Sequence, residues 1–198
     1  MRRRTTIAAG LLLAILLAVG AGSVLAFGGG GDDGGREVLR AEAAIQGAPG
    51  SGISGRVTFT QASADEDLPT PAVRVVARVE GLSAGLHGFH LHENGACAPA
   101  YTAAGGHHDP GPFANSDPDA NHPYHMGDMP NLVAGTSGVG RLHAVTTRAT
   151  LSPGPTTLFD ANGSAVIVHL NPDQGITGPS GSGVSGGPRI ACGVIEMS

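Results

Sequence analysis

From residue 36 onward, apolar positions recur in short runs with a period of two, and each run is closed by a cluster of Gly, Pro, Asp or Ser. Alternation at that period puts every second side chain on one face of an extended backbone. Each run therefore reads as a half-buried strand and each cluster as a turn. The pattern predicts strands over residues 37–46, 53–61, 72–80, 86–93, 140–149, 164–170 and 189–196. In the second of these, Ile53, Gly55, Val57 and Phe59 share one face. No long amphipathic helical pattern and no internal repeat follows residue 36. Alternation fails over residues 94–131 and 171–188, and unpatterned segments of that length inside a compact domain usually serve a function. The architecture that fits is all-β, a Greek-key β-sandwich or flattened barrel with two long functional loops.

Ahead of this region, Met1-Arg2-Arg3-Arg4 precedes an apolar run over residues 7–25 that ends in Val24-Leu25-Ala26. That is the layout of an export signal covering residues 1–26, although the run is also long enough to span a bilayer as an uncleaved anchor. Residues 27–35, with six glycines and two aspartates, read as a flexible linker. Residues 36–198 then form one domain large enough for a single core.

Composition supports this division: 33 glycines, 14 prolines and no tryptophan suit a turn-rich β-domain. All eleven basic residues are arginine, and three precede the apolar run, so the exported chain sets eight arginines against sixteen acids. That balance offers no basic patch for nucleic acid, and an anionic substrate has to be drawn in by local charge. Cys97 and Cys192 are the two cysteines. In an exported chain they most simply form one disulfide, the alternative being two buried thiols.

Eight of the nine histidines fall between His87 and His143. Within residues 86–93, strand parity turns Phe89 and Leu91 one way and His90 and His92 the other, which makes a pair of imidazoles. The first long loop adds His107, His108, His122 and His125, and the strand over 164–170 ends in His169. Several imidazoles without a nearby sulfur ligand suit Cu(II), with zinc as competitor, and the nitrogen–carboxylate pair His125-x-x-Asp128 suits zinc.

Gly85-Leu86-His87-Gly88-Phe89-His90-Leu91-His92, Gly106-His107-x-Asp109-Pro110, His125-Met126-Gly127-Asp128, Val168-His169 and Gly187-Pro188-Arg189-Ile190-Ala191-Cys192-Gly193-Val194-Ile195 together resemble copper/zinc superoxide dismutase, over essentially the whole domain. The resemblance implies that His90, His92 and His169 bind copper, that His107 is shared between copper and zinc, and that His125 and Asp128 bind zinc. It implies a Cys97–Cys192 disulfide. It makes Arg189 the residue that guides and orients the superoxide anion, and Asp173 the carboxylate that ties the ligands of the two metals together. In the implied reaction copper alternates between two oxidation states, and His107 takes up a proton and delivers it to the forming peroxide.

One position departs from the family. The further zinc histidine expected about eight residues after the bridging one is Asn115 here, which leaves zinc one protein ligand short. His108 and His122 are the histidines that could swing in, but His122 sits only three residues before His125 and belongs to no family motif. His87 has the wrong strand parity for a ligand and reads as structural, His143 as solvent-facing and His108 as a packing residue. Only Asp173 is charged between residues 171 and 188, so long-range steering is expected to be weak, with Arg189 dominant. A second function class remains, an exported protein that buffers or carries copper without turnover, but it needs neither Arg189 nor a bridging His107. A homodimer is compatible with the sequence, and contact with a membrane is expected only if the N-terminal segment is retained.

Overall fold

A computed structural model of the chain describes residues 38–62, 71–111 and 114–198; the expected export signal and linker lie outside the described residues. Nine antiparallel strands make one sheet: β1 (Val38–Gly47), β2 (Ser54–Ala62), β3 (Val73–Glu80), β4 (Gly85–His87), β5 (Phe89–His92), β6 (Leu132–Ala134), β7 (Gly140–Thr146), β8 (Ala165–His169) and β9 (Arg189–Met197). Their order across the sheet is β4-β6-β7-β3-β2-β1-β9-β8-β5. The all-β expectation holds. The alternating residues Ala41, Ala43, Ile45, Val57, Phe59, Val73, Val75, Ala77, Val79, Phe89 and Leu91 point into one core.

The expected single strand over residues 86–93 is two strands. β4 pairs with β6 at one edge of the sheet and β5 pairs with β8 at the other, yet only Gly88 lies between them. A single residue advances the chain by roughly 3.8 Å per Cα step, so the two edges have to meet and the sheet closes on itself. Gly88 sits at the seam. Its N–H donates to Asn171 O at 2.8 Å, and its carbonyl accepts from His169 N at 2.8 Å. A Cβ at this position would lie 2.9 Å from Ser185 O, so the seam admits no side chain. β6 was not expected, because three residues are too few to display a period.

Between β5 and β6 the chain makes a short 3₁₀ turn (Tyr101–Ala104) and otherwise runs as an irregular loop. Disulfide Cys97–Cys192 fastens that loop to β9. Ala104, Ala165, Ile167 and Cys192 form a second small core beneath it, with Cys97 and Tyr101 packed alongside. β8 is consequently buried on both faces: Val166 and Val168 face the barrel core, Ala165 and Ile167 the loop. Closing 95 residues of chain should stabilise the fold by about 4–5 kcal/mol on the chain-entropy account. The Cys97→Ser, Cys192→Ser double variant is expected to lose about 3–5 kcal/mol of unfolding free energy. A lower denaturant midpoint would register that loss, and reductant should shift the wild type to the same place.

Candidate metal centre

Three elements bring the imidazoles together. β5 carries His90 and His92 on the face opposite Phe89 and Leu91, β8 ends in His169, and the loop over 94–131 folds back across β5 with His107, His122 and His125. Isolated bridges between His92 and His107, and between His90 and Asp128, hold that loop against the strand. All six rings are at most 2% exposed. The outward pair of β5 therefore faces not solvent but a roof built by the loop.

The first group is His90, His92, His107 and His169, whose donor atoms lie within 4.8 Å of one another. In each ring one nitrogen is held and the other is left without a partner. His90 Nε2 donates to Asp173 Oδ2 at 2.9 Å, His92 Nδ1 to Gly105 O at 3.1 Å, and His169 Nδ1 to Gly187 O at 2.9 Å, while His107 Nδ1 lies 2.6 Å from Asp128 Oδ1. The unpartnered atoms are His90 Nδ1, His92 Nε2, His107 Nε2 and His169 Nε2. Four buried nitrogens orphaned in one small volume are a donor set that fits one transition-metal ion, and four imidazoles suit Cu(II).

The second group surrounds Asp128. His107 Nδ1 and His122 Nδ1 lie 2.6 and 3.2 Å from its Oδ1, and His125 Nδ1 lies 2.9 Å from its Oδ2. Asp173 spans both groups: its Oδ1 accepts from His122 Nε2 at 2.6 Å and its Oδ2 from His90. Asn131 fixes the backbone of Asp173, donating from Nδ2 to its carbonyl at 2.9 Å and accepting its N–H at 2.8 Å. A mixed nitrogen–oxygen donor set of this kind fits zinc.

Every expected site residue is thus in one place, and His122 joins them. The sequence offered His122 beside His108 as a residue that could swing in but gave it no family motif; the signal that favours it is His122-x-x-His125-x-x-Asp128, three ligand-type residues at one spacing. Asn115 is exposed and stands apart from the rings. His87 is buried at the seam, with Nδ1 2.8 Å from His169 O and Nε2 3.0 Å from Ser83 O. His108 is buried and His143 exposed.

One side of the centre is open. A cavity of about 380 Å³ is lined by His169 and Arg189 together with Asp117, Asp119, Ser185 and Gly187. Arg189 Nη1 donates to Tyr101 O at 2.8 Å and Nη2 to Gly105 O at 2.5 Å, which aims the guanidinium at this space. Gly105 O therefore holds both His92 and Arg189. Its residue has φ +74°, and a Cβ would lie 2.5 Å from Glu93 Oε1, so the turn requires glycine. Asp119 closes the roof by accepting from Gly183 N, Ser185 N and Ser185 Oγ at 2.8, 3.1 and 2.8 Å.

A buried two-metal histidine centre on a closed β-barrel, with one wall open beside an arginine, is the class that fold and site define. The family model described as copper/zinc superoxide dismutase matches residues 53–195. A Deinococcus radiodurans protein named Cu-Zn superoxide dismutase is 39% identical over 154 residues, covering 72% of this chain and 79% of that protein. A Caulobacter vibrioides protein of the same name is 35% identical over 149 residues, covering 72% and 78%. The chain belongs to the copper/zinc superoxide dismutase family.

Burial, with the neighbouring imidazoles adding to it, pushes His90 and His107 down to about 4 and His169 to about 3, and holds His92 well below its ordinary value. The neutral form is the one that binds metals. In His122 burial opposes the charged form, but Asp128 and Asp173 outweigh it and raise the ring to about 9. Burial alone would raise both carboxyls; the histidine hydrogen bonds instead hold them far below the usual range. In metal-free protein the lowered imidazoles take up protons more readily once unfolded, so their contribution is lost as pH falls from 6.5 towards 4. His122 has the opposite sign: its contribution is complete below 6.5 and lost as pH rises through about 9. The urea midpoint of chelator-treated protein should therefore peak between these limits and fall on both sides, more steeply on the acid side.

Proposed function

We propose that this protein is a superoxide dismutase that converts two superoxide anions and two protons to dioxygen and hydrogen peroxide. The observation that carries the reading is the set of four orphaned imidazole nitrogens beside a cavity walled by Arg189. His90, His92, His107 and His169 would hold copper, and His107, His125 and Asp128 would contribute to a zinc site. Copper, when bound, supplies the one-electron couple that the reaction needs.

The rest is work for the chain's own groups. Arg189 binds the anion in the cavity by a charge-assisted hydrogen bond and orients it towards the rings. Burial lowers the guanidinium from its ordinary value, but arginine starts so far above neutrality that it stays charged. His107 Nε2 is the unpartnered, protonatable atom of this ring, and Asp128 on its other nitrogen fixes the ring's orientation. That atom holds the proton passed to the forming peroxide. Asp117 and Asp119 line the same cavity, so distant charge does not favour an anion and Arg189 has to act locally. Export is part of the proposal, supported by the residue 1–26 signal in the sequence and by a disulfide typical of oxidising compartments.

The deciding measurement is copper and zinc content with dismutation rate on one loaded sample of the domain. Copper bound with rapid turnover supports the enzyme; copper bound without turnover supports the buffering protein instead. Arg189→Ala should lower kcat/KM by roughly 10- to 100-fold, the loss of a hydrogen bond to a charged group worth about 1.5–3 kcal/mol, with Arg189→Lys in between. An Arg189→Ala enzyme that kept its full rate at low salt would contradict the role. In the wild type the rate should change by less than about threefold from roughly 0.01 to 0.15 M salt, as weak long-range steering requires.

A further inference from the structure

We propose that His122, which lies at no family zinc position, is the histidine that completes the zinc site of this chain in place of the one missing at Asn115. The inference rests on the family reading and concerns which residue of this chain replaces the lost ligand. Its first support is distance. Zinc held tetrahedrally at about 2.0–2.1 Å sets neighbouring donors roughly 3.3–3.4 Å apart. His122 Nδ1 stands 3.2 Å from Asp128 Oδ1, near that spacing, while His107 Nδ1 and His125 Nδ1 hydrogen-bond the same carboxylate at 2.6 and 2.9 Å, so three nitrogens already surround it.

The second support is the polarity of the His122 ring. Nε2 is held by Asp173 Oδ1 at 2.6 Å, so Nδ1 is the nitrogen a metal can reach, giving up its proton on binding. That Nδ1 is buried and lies 3.2 Å from Asp128 Oδ1 without making a hydrogen bond. Asp128 is met by three ring nitrogens, two at Oδ1 and one at Oδ2, and a divalent cation among them turns the contacts into coordination bonds.

Competing assignments fail on geometry. Asn115 is exposed, and its side-chain oxygen faces Asp117 N at 3.4 Å. His90 also lies within 4.8 Å of the His107, His122 and Asp128 donors, but its Nε2 is given to Asp173 and its Nδ1 points into the first group. His125, bonded to Asp128 through both backbone N and Nδ1, is the better fourth member. The segment carrying His122 is itself held from both sides: Thr177 Oγ1 donates to His122 O, and Arg148 Nη2 donates to Pro123 O at 3.4 Å.

The test uses the full exported domain, with cobalt(II) as a spectroscopic probe for zinc and copper loaded separately. Wild type should take one zinc or one cobalt with the intense visible absorption of four-coordinate cobalt(II), and Asn115→Ala should be indistinguishable from it. His122→Ala should bind zinc at least about 100-fold more weakly and lose the four-coordinate spectrum. It should still take one copper, whose electron paramagnetic resonance signal shifts because Asp173 loses its hold on one side of His90. His122→Gln keeps a donor for Asp173 but not the imidazole nitrogen; it should behave like His122→Ala and separates ligand loss from misfolding. A wild-type cobalt spectrum in either His122 variant, or its loss in Asn115→Ala, would overturn the assignment. So would a wild type that binds copper and turns over superoxide but takes no cobalt, an outcome that leaves the dismutase reading standing.

Discussion

A buried imidazole has two nitrogens, and neither can be left bare without cost. In this centre one nitrogen of each of the four rings in the first group is held by the protein, and the other is released towards the middle. The holding atoms are the carbonyls of Gly105 and Gly187 and the carboxylates of Asp128 and Asp173. All four come from the two long loops. Those loops are irregular because their task is to aim single acceptors at single ring atoms, which a regular ladder with every carbonyl engaged cannot do.

The barrel and the loops are therefore one device. Barrel closure at Gly88 brings β5 and β8 side by side, so that His90, His92 and His169 stand together. The disulfide presses the first loop onto β8 and β9, and Asp119 of that loop gathers the backbone of the second. Gly105 O then couples the parts that matter for chemistry, since the same oxygen orients His92 and anchors Arg189. A shift of the loop would move His92 and Arg189, the proposed metal ligand and anion-binding group, together.

Much of this was legible in the chain. Period-two runs gave β1, β2, β3 and β7 to within a few residues, because each shows the core one face only, while β8, buried on both faces, and β9 were legible as short apolar runs bounded by turn signals. The run over 86–93 misled, since alternation carries no information about which neighbour a strand pairs with, and Gly88 hands the chain from one sheet edge to the other. His122 could be named beside His108 as a substitute but not chosen, for a related reason. Family spacing assigns a ligand by its place in a motif, whereas coordination depends only on where the ring arrives, and a loop without periodicity can deliver it from a different position.

The sequence by itself determined the strand faces and the disulfide partners once export was granted, and its family motifs pointed to the four histidines that meet in the first group. Tertiary structure alone decided that β4 and β5 belong to opposite edges, that Asn115 stays in solvent and that His122 turns inward between Asp128 and Asp173. Those outcomes depend on contacts between residues far apart in the chain, and the acceptors that hold one nitrogen of each buried imidazole come together only after the barrel has closed.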